Sequence, residues 1–282
     1  MLSLKNGSLT IKDDKEENVK IAVCIKQVPD STDVKINPET NTLIREGVAS
    51  ISNPFDDFAL EEALLTKEKY GGEVHVVSMG PPQAVDVLKN ALAVGADKVY
   101  LISDRAFAGS DTLATAYTLS KTLEWIGEID LVICGKQAID GDTAQVGPGI
   151  ATRLGLPQLT YVSKVREINV EKKKLVVERL LEDGKEVVEC SLPALITVVK
   201  DINEPRLPSL LGIKKAAKAQ IPTVTAKDIP VDETRIGLKG SPTWVTKIFS
   251  PEVRAGGEML KGELTEVIPT LVNKLMDTKF IK

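Results

Sequence analysis

The segment DLVICGKQAIDGDTAQVGPGIATRLG, residues 130–155, contains the clearest structural signal in the chain. Leu131 to Cys134 is a short apolar run, which is typical of a strand buried on both faces of a sheet. A polar segment with four glycines follows, from Gly135 to Gly149. From Ala144 onward, small and apolar residues recur at helical spacing until Gly155, so the segment predicts a strand, a loop and a helix in succession.

This order of elements favours the binding of a phosphate group. Glycine lets the backbone approach a ligand closely, and Gly141 is the position where we expect a positive φ. Backbone N–H groups at the start of a helix, together with the helix dipole, attract an anion. The loop matches neither the dinucleotide fingerprint nor the P-loop, so it predicts a nucleotide or another anion. An ordinary connection between a strand and a helix is the alternative.

Strand and helix patterns alternate before this segment. Apolar runs predict strands at 19–25, 73–78 and 98–102, and amphipathic patterns predict helices at 57–69, 83–94 and 111–126. Such alternation requires a parallel sheet with right-handed crossovers and helices on both faces. Ligands of these sheets bind outside the carboxyl ends of the strands. Four post-strand segments should therefore converge, namely 26–30, 79–80, 104–112 and 135–146.

The pattern changes in the second half of the chain. Alternating, charged runs at 161–169, 174–182 and 186–190 predict antiparallel strands, and 194–199 predicts another buried strand. Residues 221–252 are rich in Pro, Gly and Thr, and 265–276 predict a last helix. We therefore divide the chain into a polar extension (1–18), an α/β domain (19–220) and an arm (221–282) that lies on a partner. The extension is expected to form a short hairpin through Leu9 and Ile11, and the domain to make an excursion at 31–48.

Composition excludes several classes of function. The 282 residues carry a net charge of −4 and a pI near 5.4, so no basic surface for nucleic acid or an anionic membrane is expected. No apolar run approaches the roughly 20 residues that span a bilayer, so direct membrane insertion is not expected. Three cysteines without metal-ligand spacing indicate free thiols in a reducing cytoplasm, with peripheral attachment through a membrane-associated partner left open. One histidine argues against a zinc site or a His-based triad.

Four segments resemble the beta subunit of electron-transfer flavoproteins, in the order of that family. They are SNPF (52–55), VSMGP (77–81), GKQAIDGDTAQ (135–145) and NEPR (203–206), and the resemblance extends from about residue 19 to about residue 218. It implies an adenine nucleotide alpha-hydrolase-like α/β domain that pairs with an alpha subunit holding FAD. Many members bind AMP structurally in the crevice.

Carried over by position, the resemblance implies specific contacts. Adenine and ribose contacts fall on Cys24, Asn53, Pro54, Phe55, Asp56 and Met79. Phosphate contacts fall on Gly135, Lys136, Gln137, Ala138, Ile139, Asp140, Gly141, Asp142, Thr143, Ala144, Gln145 and Val146. Lys26 and Gly80 join the site because they follow their strands directly. A loop resembling 203–215 docks on dehydrogenase partners, which points to Arg206 and to Leu210 at the anchor position.

Three segments depart from the AMP-binding pattern and resemble the electron-bifurcating branch: RAFAGSDTLAT (105–115), GDTAQVGP (141–148) and GLKGSPT (237–243). In that branch the beta subunit holds a second FAD and takes hydride from NADH. Electrons then pass to a low-potential acceptor such as ferredoxin and to a dehydrogenase or quinone oxidoreductase partner.

Residues in or next to two of these segments have two possible roles each. Asp111, Thr112 and Thr115 begin a helix suited to a second pyrophosphate, or they form an ordinary N-cap. Arg105 is the cation expected near the second flavin, or a surface arginine. Asp140 and Asp142 bind ribose hydroxyls or cap the helix. The flavin performs the redox chemistry, so we name no general acid, base or nucleophile.

Two alternatives to bifurcation stay open. The first is a structural AMP-binding subunit of a simple carrier that takes electrons from acyl-CoA-type dehydrogenases. The second is an ATP-binding stress-type module or a nucleotide alpha-hydrolase of similar fold, which the docking loop and the tail argue against.

Overall fold

The computed structural model describes residues 3–5, 8–10, 18–30, 50–246 and 256–279. The excursion predicted at 31–48 lies outside these residues. The strands are β1 (Ser3–Lys5), β2 (Ser8–Thr10), β3 (Val19–Cys24), β4 (Gln27–Pro29), β5 (Ser50–Ser52), β6 (Gly72–Met79), β7 (Lys98–Ile102), β8 (Leu131–Gly135), β9 (Gln158–Asn169), β10 (Lys174–Leu180), β11 (Lys185–Ser191), β12 (Ala194–Val198) and β13 (Thr223–Val224). The helices are α1 (Pro54–Tyr70), α2 (Val85–Val94), α3 (Thr112–Ile126), α4 (Val146–Leu154), α5 (Leu210–Lys218) and α6 (Leu264–Asp277).

One nine-stranded sheet organises the larger of two compact units, Met1–Thr246. Its order is β11-β10-β9-β12-β8-β3-β6-β7-β13. The seven strands from β9 to β13 in this order run parallel, and β10 and β11 add an antiparallel edge. The predicted α/β fold with a short antiparallel section is confirmed.

The chain places successive strands on opposite sides of β3. From β3 it proceeds through α1 and α2 to β6 and β7 on one side, and then crosses through α3 to β8 on the other. The carboxyl ends of β3 and β8 therefore flank a topological switch point, which is where open α/β sheets bind ligands.

Alternate residues of the central strands supply two hydrophobic cores. Leu131 and Ile133 of β8 face the core formed with α1 and α2, whereas Val132 and Cys134 face the core formed with α3 and α4. This period of two on a continuously apolar strand explains why the Leu131 to Cys134 run is buried on both faces.

Three helix starts differ from the sequence prediction. Helix α1 begins at Pro54 rather than at 57, because proline suits the first helical turn and Asn53 takes the N-cap position. Helix α2 begins at Val85, since a 3-10 turn, Pro82–Ala84, precedes it. Helix α4 begins at Val146, since the φ of Ala144 is 53° and cannot continue a right-handed helix.

The structure also moves the predicted domain boundary. Residues 221–246 belong to the same compact unit as the sheet, because β13 pairs with β7 and Val224, Ile229 and Ile236 are buried in the core on the α3 face. The division falls between Thr246 and Lys247 instead of after residue 220. That the remaining residues lie on an alpha subunit stays a prediction.

Two elements outside the sheet agree with the sequence. β1 and β2 form the hairpin expected around Leu9, while Ile11 lies outside the described residues. In the second unit, α6 occupies the position predicted for the last helix. Among the described helices, none combines the length and the apolar composition that a bilayer crossing requires.

Candidate functional site

The candidate site lies where β3 and β8 end side by side, with Cys24 opposite Cys134 in the parallel ladder. Asn53 connects the segments that leave these strands. Its backbone N–H donates to the Lys26 carbonyl at 2.9 Å, its side-chain amide donates to the Gln137 carbonyl at 2.9 Å, and its Oδ1 accepts from the Ile139 N–H at 3.1 Å. The side chain is fully buried, so Asn53 fixes the 135–146 loop onto the end of β3.

The backbone of this loop offers N–H groups to a ligand. Asp142 and Ala144 have φ values of 53°, and the segment from Thr143 to Val146 leads into α4. Within the described part of the chain, the N–H groups of residues 143–146 have no acceptor. Alternating left- and right-handed residues ahead of a helix form an anion-binding concavity, so the loop fits a phosphate group.

The positions at which the fold requires glycine differ from the one predicted. Gly141 does not take a positive φ, and a Cβ built there meets no described atom within 4 Å. The crowded glycines are Gly135, Gly147 and Gly149: a Cβ would overlap Asp56 and the Phe55 backbone at the first, and would press on Thr197 at the second and on Ala116 at the third. The glycine at 141 thus leaves open space above the loop, and the glycine at 147 lets α4 pack closely on β12.

Acidic side chains of the loop are held by neighbours. Lys26 Nζ forms an ion pair with Asp140 at 2.7 Å, and Gln137 Nε2 donates to Asp142. Helix α4 has no side-chain cap, so neither aspartate caps it. Of the two roles predicted for Asp140 and Asp142, capping is not observed, and ribose binding stays a prediction.

Asp56 lies directly beneath the loop. Its Oδ2 accepts from the Lys26 N–H at 2.7 Å, and the Gly135 N–H also donates to the carboxyl. Burial raises its pKa to about 7, because desolvation outweighs the hydrogen bonds from Asn53, Lys26 and Gly135 that favour the charged form. The crevice therefore contains a carboxyl that is partly protonated at neutral pH.

Two features of the crevice were not anticipated from the sequence. The thiols of Cys24 and Cys134 contact each other, and this hydrogen bond, together with burial, raises the pKa of Cys134 well above its usual value. Lys136 Nζ lies 5.1 Å from the ring centre of Tyr161 and 5.7 Å from that of Phe55. Tyr161 has a φ of 58°, which no local sequence signal indicates.

The start of α3 borders the loop. Thr112 Oγ1 donates to Gln145 Oε1 at 2.8 Å, and Asp111 caps the helix by accepting from the N–H groups of Leu113 and Ala114. The second oxygen of Asp111 accepts from the N–H and the hydroxyl of Thr243. The N-cap alternative is therefore observed for Asp111, while Thr112 touches the loop.

The remaining predicted residues form no side-chain bond to the 135–146 loop among the described residues. Thr115 is half-buried in the first turn of α3, and Met79 and Gly80 are half-buried where β6 ends. Arg105 is exposed on a short 3-10 turn, and its side chain bonds to none of the described residues. The structure brings the Lys26, Asn53, 135–146 and Thr112 segments into contact, but Arg105 stays outside that set.

Comparison with known proteins agrees with this geometry. Residues 40–229 match the electron transfer flavoprotein domain. The chain is 53% identical over 258 residues to the electron transfer flavoprotein subunit beta of Thermoanaerobacterium thermosaccharolyticum, covering 91% of this chain and 98% of that protein. It is 50% identical over 265 residues to the caffeyl-CoA reductase-Etf complex subunit CarD of Acetobacterium woodii (93% and 100%), and 50% identical over 240 residues to protein FixA of Azorhizobium caulinodans (83% and 85%).

The chain belongs to the electron transfer flavoprotein beta subunit family. The resemblance stated from the sequence is confirmed, and membership implies a flavin and an alpha-subunit partner.

In this beta subunit, the two residues predicted to dock on a dehydrogenase have different surroundings. Arg206 is held by Glu61 and Glu68, with Nε to Glu61 Oε2 at 2.9 Å, so its side chain already has internal partners. Leu210 is 87% exposed at the start of α5 and lies beside exposed Leu211. The docking roles of both residues stay predictions.

The pKa of Asp56 predicts a pH-dependent stability. The folded-state pKa of about 7 exceeds the unfolded value of 3.8, so the contribution to stability is complete below about pH 4 and is lost as the pH rises through 7. Asp56→Asn removes this titration. As the pH rises from 4 to 8, the unaltered protein should lose on the order of 4 kcal/mol of unfolding free energy relative to the variant.

Urea denaturation across this pH range measures the difference. Asp183→Asn, in the exposed turn between β10 and β11, controls for the loss of one carboxylate. Parallel pH profiles for the unaltered protein and Asp56→Asn would contradict the assignment.

Proposed function

We propose that this beta subunit binds FAD in the crevice and accepts electrons from NADH as part of an electron-bifurcating flavoprotein. The observation that carries the proposal is the meeting of the three segments that resemble the bifurcating branch. Thr112 of the first bonds to Gln145 of the second at 2.8 Å, and the Asp111 N–H of the first donates to Ser241 Oγ of the third at 2.8 Å. The residues that bond are as many as 132 positions apart in sequence, yet the three segments meet at the start of α3.

The residues of this chain would bind and orient the cofactor. The N–H groups of residues 143–146 point to the phosphates of an ADP moiety, and the helix dipole of α4 supports the same charge. Asp140, held by Lys26, and Asp142, held by Gln137, would accept from ribose hydroxyls. When bound, the flavin supplies the redox chemistry, whereas the protein supplies position and electrostatics.

The relatives' names extend the proposal to partners. One relative belongs to a caffeyl-CoA reductase-Etf complex, which supports a flavin-linked dehydrogenase or reductase as a partner of this chain as well. A low-potential acceptor such as ferredoxin and a quinone oxidoreductase complete the proposed bifurcation.

A second candidate function rests on the same loop. AMP presents one phosphate and one ribose, and the N–H groups of residues 143–146 fit that phosphate as well as a pyrophosphate. In that case the subunit would hold AMP structurally, and the single flavin would reside in the alpha subunit. Only the neighbourhood of Thr112 and Ser241 favours the larger ligand.

Flavin counting on the purified heterodimer tests the choice. We expect two FAD per heterodimer and oxidation of NADH, because both nucleotide sites would hold flavin. The cofactors released by denaturation are identified and quantified by chromatography and absorbance. One FAD with one AMP, and no reaction with NADH, would establish the simple carrier instead.

Thr112→Val probes the contact between α3 and the loop. Loss of the hydroxyl frees Gln145 and removes a donor near the phosphates, so affinity for the nucleotide in this chain should fall roughly tenfold to hundredfold. Thr152→Val is the matched control, since the Thr152 hydroxyl bonds only within α4. Equilibrium dialysis of the released nucleotide measures the effect, and equal affinity in both variants would remove Thr112 from the site.

Helix α6 is the part of the second unit that we propose to bind the alpha subunit. Four apolar side chains recur at helical spacing and are exposed, which marks an apolar stripe along α6: Leu264, Ile268, Leu271 and Val272. Ile268→Glu would place a charge in that interface and should abolish co-purification of the alpha subunit. Asn273→Glu, on the opposite side of α6, should leave it intact. Equal recovery of the alpha subunit with both variants would contradict this role.

A further inference from the structure

A cleft of about 320 Å³ lies between the start of α3, the end of α4 and the segment 234–242. Its lining includes Leu113, Arg153, Arg235, Lys239, Ser241 and Pro242. The cleft is built from residues other than the N–H groups of the 135–146 loop. Three of its side chains are cations, supplied by two separate parts of the chain.

The three cations lack acidic partners within the described residues. None of Arg153, Arg235 and Lys239 lies within ion-pair distance of a described carboxylate. One acid, Asp232, lies close enough to act on two of these cations: hydrogen bonds from the N–H and hydroxyl of Thr234, at 2.8 and 2.7 Å, and then the charges of Arg235 and Lys239 lower the pKa of its carboxyl. The cleft therefore keeps an excess of positive charge. One buried polar atom in it, Arg153 Nε, has no hydrogen-bond acceptor among the described residues.

The guanidinium groups are held in place by Tyr117. The Cζ of Arg235 lies 4.1 Å from its ring centre and that of Arg153 lies 5.9 Å away. The Tyr117 hydroxyl accepts from the Asp232 N–H at 2.9 Å, and Arg153 Nη2 donates to the Leu113 carbonyl at 3.2 Å. Both arginines thus keep their positions without a ligand, which reduces the entropy lost on binding.

The segment 234–242 is equally fixed. Ser241 Oγ accepts from the Asp111 N–H at 2.8 Å and donates to the Gly237 carbonyl at 2.7 Å. A Cβ at Gly240 would overlap the Arg235 backbone, so glycine lets the chain fold back against that residue. Arg235 and Lys239 are therefore brought to the same wall of the cleft by a short, constrained turn.

We propose that this cleft binds the phosphate group of a small phosphorylated molecule. Guanidinium groups donate through a planar fork that matches the oxygens of phosphate, and Lys239 adds a mobile positive charge. Leu113 and Pro242 provide an apolar wall for the organic part of the ligand. The proposal goes beyond the nucleotide of the crevice, since the three cations that carry it are not among the residues assigned to that nucleotide.

Calorimetric titration with inorganic phosphate and pyrophosphate, in chloride buffer of low ionic strength, tests the cleft. The full-length chain is used in its heterodimer with the crevice nucleotide bound. We expect one site per heterodimer, weakened roughly tenfold to hundredfold by Arg235→Gln and by Lys239→Gln. Arg166→Gln removes one charge from the distant strand β9, where Arg166 pairs with Glu178, and should leave binding unchanged.

Any of the following outcomes overturns the proposal. No heat of binding in the unaltered heterodimer, or equal affinity in Arg235→Gln, Lys239→Gln and Arg166→Gln, excludes a phosphate site here. Loss of phosphate binding in Thr112→Val with retention in both cleft variants assigns the phosphate to the crevice. Loss of the alpha subunit from Lys239→Gln, with no phosphate binding in the unaltered protein, assigns the cations to carboxylates of the partner. Lys239 is exposed, so its variant remains informative where Arg235→Gln does not fold.

Discussion

The crevice depends on one buried amide, the side chain of Asn53. Its hydrogen bonds to Gln137 and Ile139 are the described contacts that hold the 135–146 loop to the end of β3 from within the protein. The other link, the pair between Lys26 and Asp140, is solvent-exposed, and such pairs contribute about 0–1 kcal/mol. A buried amide left without partners costs about 1–3 kcal/mol per unsatisfied group. The loop and the start of α1 therefore keep their relative position through Asn53, and the outward N–H groups follow from it.

The carboxyl of Asp56 also contributes to the crevice, next to the 135–146 loop. Asp56 accepts from the N–H groups of Lys26 and Gly135, so it fixes two strand ends at once. A fully ionised carboxylate beside a site for an anionic ligand would repel that ligand. Because burial raises the pKa of Asp56 to about 7, the repulsion is reduced at neutral pH while the hydrogen bonds remain. The same burial that destabilises the charged form thus makes the site more compatible with an anion.

The sequence predicted the strands and helices, which depend on local residue patterns. The strands β3, β6, β7, β8 and β12 are mainly apolar, and the order of elements is sufficient to place the crevice at their carboxyl ends. It did not predict features that arise from distant contacts. Ala144 and Tyr161 take positive φ, which neither residue type favours, and β13 consists of two residues in a segment without periodicity. Arg153 and Arg235 meet over Tyr117 although 82 residues separate them in sequence, and no spacing rule indicates such a pair.

Phosphate recognition alone does not distinguish AMP from FAD, because both present a phosphate beside an adenosine. The distinction must come from residues beyond the phosphates. In this chain those residues are tied to one another: Thr112 bonds to Gln145, Asp111 bonds to Ser241 and Thr243, and Gly237 donates to Ser110 at 3.1 Å. The 105–115 segment thus bonds to each of the other two, which makes the three one structural unit around the start of α3. A requirement for a larger cofactor would act on that unit as a whole, which is consistent with the three resembling segments occurring together although they are far apart in sequence.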